Sequence, residues 1–326
     1  MGLHGVALVD KPAGMSSFSV VSRLRRIFRT LGVTKAGHTG TLDPLATGLL
    51  PICIGESTKF AQRLLDADKG YFATVKLGVA TTTADAEGEI TARSDMLVDA
   101  PTFAAMLAQY RGKIVQVPPI YSALKIDGKP AYEYARAGQS VEIKSRIVEI
   151  YSVELVGSRH ELQEFDINVR CSKGTYIRTL AVDIALALGS VGHLSALRRT
   201  RTGGFDLAAA HPLDEWMKTD DATRLSWLLP TESLVAELPL LDLTAQQATD
   251  ICNGKVVAVQ TETTNQALEA SNVRPDVSFT LLRLHDAQKG FLGLGARSAD
   301  GTLRAERLLS TGARQGSCRL IYAANY

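Results

Sequence analysis

Apolar residues recur at two spacings along the chain, and each spacing predicts a different kind of element. The apolar run over residues 6–9 predicts a short buried strand. Further on, apolar positions recur at helical spacing from Val20 to Leu31, between a serine cap and a stop at Gly32. We expect an amphipathic helix here, with its apolar side in the core and its arginines facing outwards.

Strands and helices continue in irregular order after this helix. Alternation predicts strands over 69–77, 146–156 and 165–171, and helical spacing predicts helices over 56–65, 101–110 and 176–188. Residues 81–88 are polar and turn-rich, and the prolines of 116–125 predict an extended segment suited to lining a cleft. Because the elements mix without regular β-α-β alternation, the predicted fold class is α+β with a largely antiparallel sheet.

Glycines punctuate the C-terminal part of the chain and divide it into short strand-like pieces. They lie at Gly254, Gly290, Gly293, Gly295, Gly301, Gly312 and Gly316. Such punctuation is typical of a small β-barrel. We therefore expect two domains, residues 1–235 and residues 236–326, with a polar loop insertion at 265–276 in the second.

The composition is that of an ordinary soluble protein. Of 326 residues, 45% are hydrophobic and 21% are charged, and no apolar run approaches the roughly 20 residues that span a bilayer. The N-terminus lacks the pattern of a secretory signal, so we expect a cytoplasmic protein without a membrane partner. The cysteines lie far apart without a C-x-x-C pair, which argues against a zinc site or a disulfide framework and predicts reduced, mostly buried thiols at Cys53, Cys171, Cys252 and Cys318.

Charge is distributed unevenly, although the net charge is only +2. No acid lies between Asp10 and Asp43, and this interval holds Lys11, Arg23, Arg25, Arg26, Arg29 and Lys35. A second interval without acids, 184–205, carries Arg198, Arg199 and Arg201. Both runs are compatible with solvated basic faces, but their nearness to the motifs below favours contact with an RNA backbone. The predicted contacts are Arg23, Arg26, Arg198 and Arg199.

One carboxylate, Asp43, stands inside a glycine-rich turn with the sequence GHTGTLDPLATGLLP. Glycine allows a large ligand to approach the backbone, and Pro44 biases Asp43 towards an extended conformation that projects its carboxylate. An aspartate in such a turn can simply cap local structure. The same turn can also hold a nucleophile against a bulky substrate.

The run GHTGTLDPLATGLLPICIGESTKF resembles the signature of the TruB family of tRNA pseudouridine synthases. The resemblance covers most of residues 5–205 through further blocks in the same order: DKPAGMSS, Tyr71, YSALK, CSKGTYIR and LRR. It implies the pseudouridine synthase catalytic fold and isomerisation of uridine 55 in the T-loop of tRNA. The C-terminal part resembles the PUA domain, a small RNA-binding barrel.

The resemblance implies that Asp43, Tyr71 and Arg178 are catalytic. Asp43 would add to C6 of the uracil or attack C1′ of the ribose, and it must be ionised for either route. Arg178 would pair with this carboxylate and favour its charged form. Tyr71 would pack on the flipped uracil and move a proton. Without the resemblance, the sequence would predict a core tyrosine at Tyr71 and a surface arginine at Arg178.

Four more residues are implied in substrate binding. His38 would fill the space that the extruded nucleotide leaves, and Lys11 would support the Asp43 loop or bind a phosphate. Tyr176 and Leu197 would form the apolar wall of the pocket. No second histidine or cysteine lies at ligand spacing from His38, so no metal site is expected. Since the isomerisation exchanges no electrons with the medium, no cofactor is expected either.

The expected partner is tRNA, bound by a monomer without an obligate protein partner. The alternatives are a non-catalytic tRNA-binding protein or chaperone, a guide-RNA-dependent relative, and a metal-dependent hydrolase built on His38 and Asp43. The presence of Asp43, Tyr71 and Arg178 together favours the enzyme, because binding alone requires none of them. A guide-dependent relative would be expected to carry long basic tails, and a hydrolase would need further metal ligands.

Overall fold

The computed structural model describes residues 2–259 and 279–310, which form a ten-stranded sheet, a five-stranded sheet and two short hairpins. The strands are β1 (Gly5–Lys11), β2 (Ala36–His38), β3 (Thr47–Ile54), β4 (Lys69–Leu77), β5 (Val79–Thr81), β6 (Ile90–Arg93), β7 (Gly112–Gln116), β8 (Lys125–Ile126), β9 (Lys129–Pro130), β10 (Arg146–Arg159), β11 (Glu164–Cys171), β12 (Gly192–Thr202), β13 (Phe205–Asp206), β14 (His211–Pro212), β15 (Leu240–Leu243), β16 (Val257–Ala258), β17 (Phe279–Asp286), β18 (Gly290–Ser298) and β19 (Thr302–Leu308). The helices are α1 (Ser17–Ile27), α2 (Ala61–Leu65), α3 (Ala100–Leu107), α4 (Ala131–Arg136), α5 (Ile177–Ala187), α6 (Leu213–Lys218), α7 (Asp221–Ser226) and α8 (Ala245–Cys252).

The ten-stranded sheet has the order β14-β1-β3-β12-β4-β11-β10-β7, with β2 added beside β3 and β13 beside β12. Its neighbouring strands are antiparallel except at the pairs β1–β14 and β3–β12, which are parallel. The predicted α+β class with a largely antiparallel sheet is confirmed. The parallel pair β3–β12 is important for function, because it brings the Asp43 loop beside the arginines of β12.

Strand β1 joins two hydrophobic cores because its successive side chains point to opposite faces of the sheet. Ala7 and Val9 pack in the larger core with apolar residues of α1, α3 and α5. Val6 and Leu8 pack in a second core that also contains Phe291 from the five-stranded sheet. The ten-stranded sheet is therefore covered on one face by helices, and around β1 its other face packs in a second core to which the C-terminal sheet contributes Phe291.

The C-terminal sheet has the order β15-β17-β18-β19-β16 and curls into a half-barrel with a core of its own. Strands β17, β18 and β19 confirm the strand-rich pattern between the glycines. The predicted insertion at 265–276 lies outside the described residues, as do Gly312, Gly316 and Cys318. No helix of the described part is both long enough and apolar enough to cross a membrane.

Most elements lie where periodicity predicts them, but one helix differs. The segment predicted as a helix over 56–65 is a 3-10 helix, Gly55–Phe60, followed by only one α-helical turn and a half in α2. Leu65, at the end of α2, is 38% exposed, although helical spacing over 56–65 predicts a buried side chain there. Apolar spacing does not distinguish α from 3-10 geometry over so short a segment.

The sequence analysis did not predict two central strands, β3 and β12. Almost every residue of β3 is buried, so the strand lacks alternation and even contains a proline at Pro51. The arginines of β12 suggested a solvated face, although the strand lies in the middle of the sheet. Cys53 of β3 and Cys171 of β11 are buried free thiols, and burial raises the pKa of each to about 12.

Gly48 lies where the backbones of β3 and β12 come closest. Its φ is +98°, and a Cβ atom there would be 2.3 Å from the carbonyl oxygen of Arg199. We predict that Gly48→Ala lowers the free energy of unfolding by about 2 kcal/mol or more, because it adds both backbone strain and a steric clash. Urea unfolding measures this. Gly37→Ala, on β2 with open space around the position, is the matched control and should change stability by less than about 0.5 kcal/mol; equal stability of the two variants would contradict the prediction.

Candidate active site

The loop that carries Asp43 connects β2 to β3, and side chains from α1 and β1 hold it. Ser17, buried at the start of α1, accepts a hydrogen bond from the Leu42 amide at 2.8 Å and donates one to the Leu42 carbonyl at 3.0 Å. Lys11, buried at the end of β1, donates from Nζ to the Pro44 carbonyl at 3.2 Å and to two carbonyls of the turn after β1. Burial lowers the pKa of Lys11 to about 8. Lys11 thus links the Asp43 loop to the turn after β1.

Arg199 of β12 supports the same loop from the opposite side. Its side chain is buried, with Nε donating to the Leu49 carbonyl at 2.8 Å and Nη2 to the Gly40 carbonyl at 3.1 Å. This position differs from the predicted contact with an RNA backbone, because the middle of the sheet encloses the side chain and the loop carbonyls occupy its donors. Its neighbour Arg198 faces outwards and forms a two-point ion pair with Asp10, at 2.6 and 3.1 Å.

The Asp43 carboxylate pairs with Arg178, the second residue of α5. Arg178 Nε lies 3.0 Å from Asp43 Oδ2, and the Arg178 side chain is only 4% exposed. Its Nη1 donates to the Thr83 carbonyl at 3.0 Å and its Nη2 to the Tyr121 carbonyl at 2.7 Å. A second carboxylate, that of Asp85, lies 3.5 Å from Nη1. Arg178 is therefore fixed on all sides, and it presents one edge to Asp43.

Burial and three charged neighbours act on the ionisation of Asp43. Burial raises the pKa of this carboxyl, the Arg178 guanidinium opposes that rise, the negative charge of Asp85 adds to it, and the charge of Lys11 opposes it. The net effect is a pKa above the ordinary value for an aspartate. Asp43 is thus a partly desolvated carboxylate whose direction is set by one guanidinium.

Asp85 is a site residue that sequence reasoning did not identify. Its side chain is buried in the turn after β5, where it accepts hydrogen bonds from the Thr83 hydroxyl and the Glu87 amide. The turn itself pairs with β12 through two main-chain hydrogen bonds to Leu194. The only signal in the sequence is an acid in a threonine-rich turn, and that pattern equally describes an aspartate that bonds only to its own turn.

A cavity of about 320 Å³ opens at the Asp43–Arg178 pair. Among the residues that line it are six of those singled out from the sequence: Asp43, Tyr71, Tyr176, Arg178, Leu197 and Arg199. The fold therefore brings together residues from β4, α5, β12 and the Asp43 loop. Its volume lies at the lower end of the range typical of small-ligand pockets, about 300–1,000 Å³.

Tyr71, on β4, contributes a ring and a hydroxyl to the cavity wall. Burial raises the pKa of this hydroxyl to about 12, although the neighbouring Arg199 guanidinium acts in the opposite direction. The hydroxyl is therefore protonated at neutral pH. The site thus contains an acid group that can ionise beside a phenol that does not.

His38 lies next to the cavity rather than in its wall. It is half-buried at the end of β2, and its Nδ1 accepts a hydrogen bond from the amide of Gly40, which does line the cavity. Burial, together with the charge of Arg199, lowers the pKa of His38 below its ordinary value. The imidazole is therefore neutral at neutral pH.

The arginines of α1 are exposed on the surface of the large sheet's helical layer. Arg23, Arg25 and Arg26 lie on the helix and Arg29 lies just beyond it. Within residues 2–259 and 279–310, no acidic side chain forms an ion pair with any of these four. The same described residues contain no group of three or more His, Cys, Asp or Glu side chains placed to hold a metal ion.

Family models match three consecutive parts of the chain. Residues 25–177 match "TruB family pseudouridylate synthase (N terminal domain)", and residues 178–236 match "tRNA pseudouridylate synthase B C-terminal domain". Residues 239–309 match "Pseudouridine synthase II TruB, C-terminal".

Two solved structures share the fold. One is an H/ACA RNP bound to a substrate RNA containing 2′-deoxyuridine, with a TM-score of 0.66 and 22% identity over 95% of this chain and 86% of that chain. The other is an archaeal box H/ACA sRNP Nop10-Cbf5 complex, with a TM-score of 0.62 and 22% identity over 93% of this chain and 85% of that chain. At this identity the likeness shows the fold alone.

Curated relatives are much more similar in sequence. The tRNA pseudouridine synthase B of Burkholderia pseudomallei (strain 668) is 48% identical over 314 residues, which cover 95% of this chain and 98% of that protein. The tRNA pseudouridine synthase B of Cupriavidus metallidurans is 47% identical over 307 residues, 94% of either protein. Identity at this level over nearly the whole length, together with the three family matches, shows that this chain belongs to the TruB family of pseudouridylate synthases.

Proposed function

We propose that this enzyme isomerises uridine 55 in the T-loop of tRNA to pseudouridine, with Asp43 as the nucleophile. The observation that carries the proposal is the 3.0 Å ion pair between Asp43 and Arg178 in the wall of the cavity. Relatives at 47–48% identity are named tRNA pseudouridine synthase B, which supports tRNA as the substrate.

The reaction requires a group that carries the reacting centre while the glycosidic bond is open. The base must leave C1′ of its ribose, rotate and rejoin through C5, and a carboxylate can hold either C6 of the base or C1′ of the sugar in the meantime. Both routes need an ionised Asp43. Arg178 supports this state by its charge and fixes the direction of attack, because two carbonyls and Asp85 prevent it from turning away.

A uridine inside a folded T-loop is out of reach, so it must be flipped into the cavity. The ring of Tyr71 offers a stacking surface there, and its hydroxyl can relay a proton during the rotation by releasing its own proton as it accepts another, so that it stays protonated overall. Tyr176 and Leu197 form apolar parts of the wall. His38, neutral and beside the cavity, is positioned to occupy the space that the flipped nucleotide vacates.

We further propose that residues 1–235 form the catalytic domain and residues 236–326 a PUA-like RNA-binding domain, in a monomer that acts on tRNA in the cytoplasm without a protein partner. The separate core of the five-stranded sheet supports this division. The exposed arginines of α1 support an RNA contact beside the Asp43 loop, because helix α1 and this loop are joined through Ser17. Arg198, although paired with Asp10, remains 40% exposed and is a further candidate for that contact.

Asp43→Asn should abolish pseudouridine formation and leave tRNA affinity within a few-fold, since phosphate, shape and stacking contacts supply most of the binding energy. Tritium release from tRNA labelled with [5-³H]uridine measures turnover. Asp214→Asn, at an exposed acid on α6, is the matched control and should remain active; appreciable turnover by Asp43→Asn would contradict the assignment.

Mass mapping of pseudouridine in treated tRNA tests the position of the target. We expect one new pseudouridine, at position 55, in an unmodified tRNA transcript incubated with the wild-type enzyme. The Asp43→Asn protein, incubated in parallel, should produce none. Modification at another position would overturn the proposed specificity while leaving the chemistry intact.

The pH dependence of kcat/KM should reflect the raised pKa of Asp43. The protonated carboxyl is not a nucleophile, so kcat/KM should fall as the pH is lowered through that pKa. Asp85→Asn removes a negative charge that raises the pKa of Asp43, and the acid limb should therefore move to lower pH. The plateau value of kcat/KM for Asp85→Asn should also be lower than that of the wild type, because Arg178 then has one charged partner fewer. An acid limb that stays in place or moves to higher pH would contradict this account of the site.

Charge reversal on α1 tests the proposed RNA face. The double variant Arg23→Glu/Arg26→Glu should bind tRNA more weakly, and the slope of log Kd against log salt should become shallower by about 0.7–0.9 for each phosphate that the protein no longer neutralises. Filter binding over a series of salt concentrations gives both quantities. Lys218→Glu, at an exposed lysine on α6, should leave the slope unchanged. An unchanged slope in the double variant would mean that this face is only solvated.

A further inference from the structure

Tyr176 forms part of the cavity wall, and it is held by a residue that lies outside that wall. It is the residue before α5, where no side chain caps the helix. Gln116, buried on β7, accepts a hydrogen bond from the Tyr176 amide at 3.1 Å and donates from Nε2 to the Tyr176 carbonyl at 3.3 Å. One side-chain amide therefore binds both polar main-chain atoms of Tyr176.

Arg146 holds the ring of the same tyrosine. It is the partner of Gln116 in the β7–β10 register, and its Cζ lies 4.7 Å from the centre of the Tyr176 ring. Nε and Nη2 of Arg146 are buried and have no hydrogen-bond partner. Buried donors without partners cost free energy, and the face of an aromatic ring is the contact here that offsets this cost for a planar guanidinium.

Gly174 leaves room for this stack. Its φ is +77°, and a Cβ atom there would lie 3.3 Å from Nη1 and 3.5 Å from Cζ of Arg146. Any side chain at this position would press on the guanidinium. The turn before α5 therefore combines a backbone conformation suited to glycine with the space that Arg146 needs to reach the ring.

We propose that Gln116 and Arg146 form a two-point clamp on Tyr176, in which one residue positions its main chain and the other its ring against the flipped uridine. This proposal rests on the isomerisation proposed above, in which Tyr176 forms part of the wall of the pocket for the flipped uridine. Direct RNA contact by Arg146 Nε and Nη2 is disfavoured because both atoms are buried. The clamp also fixes the start of α5, which carries Arg178 two residues after Tyr176.

The ring-holding half of the clamp is tested by Arg146→Met in three backgrounds. These are the wild type, Tyr176→Phe, which keeps a ring, and Tyr176→Leu, which does not. The single-turnover rate at saturating enzyme should fall about ten-fold in the first two backgrounds and by no more than about two-fold in the third, because no ring remains to be held. Equal losses in all three would overturn the proposal, since a merely structural role of Arg146 does not depend on the ring.

The hydrogen bonds from Gln116 to the Tyr176 main chain should matter whether or not residue 176 carries a ring. Gln116→Met removes both hydrogen bonds to the Tyr176 backbone, and its effect, again about ten-fold, should persist in the Tyr176→Leu background. A loss that disappears together with the ring would overturn this half. For both residues, tRNA affinity should stay within about two-fold of the wild type. A loss of affinity in place of rate would mean direct RNA contact and would also overturn the clamp.

Controls distinguish loss of the clamp from misfolding of a variant and from failure of the proposed isomerase function. Arg136→Met removes a guanidinium that lies 5.2 Å from the centre of the Tyr132 ring on α4, and it should leave the rate unchanged. Circular dichroism fixes a temperature at which every variant is folded. Arg146→Lys keeps the charge without the planar group, so its rate should lie between those of the wild type and Arg146→Met. A wild-type rate for Arg146→Met would refute the clamp. Absence of turnover by the wild-type enzyme would instead refute the proposed function.

Discussion

The structure of the active site depends on one buried guanidinium that must be fully partnered. A charge taken out of water is tolerated only where opposite charge and hydrogen-bond acceptors replace the solvent. For Arg178 these are supplied by the Asp43 loop, by the turn that holds Asp85, and by the bend at Tyr121. Three segments far apart in sequence therefore converge on one side chain. The same requirement that stabilises Arg178 leaves Asp43 oriented towards the cavity.

Other buried cations around the cavity serve a different purpose, because they bond to main-chain carbonyls rather than to acids. Lys11 bonds to three carbonyls around the Asp43 loop, and Lys69 to three carbonyls at the end of α2. Arg199 does the same for the Asp43 loop from β12. Carbonyls in loops lack the partners that helices and sheets provide, and these cations supply them. The loops beside the cavity are thereby held in place where regular secondary structure does not pair their carbonyls.

The packing of β1 relates the cavity to the C-terminal sheet. One face of β1 packs against the helical layer, which includes the exposed arginines of α1, and the other face packs in the core that also contains Phe291 of the half-barrel. In that core the Phe60 and Phe291 rings lie 5.6 Å apart. The two cores therefore meet at β1, whose last residue, Lys11, bonds to the Asp43 loop.

Most of the local structure can be predicted from the order of residues, and the resemblance of the motif blocks to the TruB family predicts which residues meet at the site. Periodicity locates α1, β4, α3, β10, β11 and α5, and the motif blocks single out Asp43, Tyr71 and Arg178, which the fold brings to one cavity. Long-range packing was needed to show that Asp85 partners Arg178, that Arg199 is enclosed beneath the loop, and that Gln116 and Arg146 hold Tyr176. Helical spacing and strand alternation are encoded within a few neighbouring residues, whereas strand order and register decide which distant side chains meet. Burial, which no local pattern specifies for β12, converts a basic residue from a solvated surface group into an internal support.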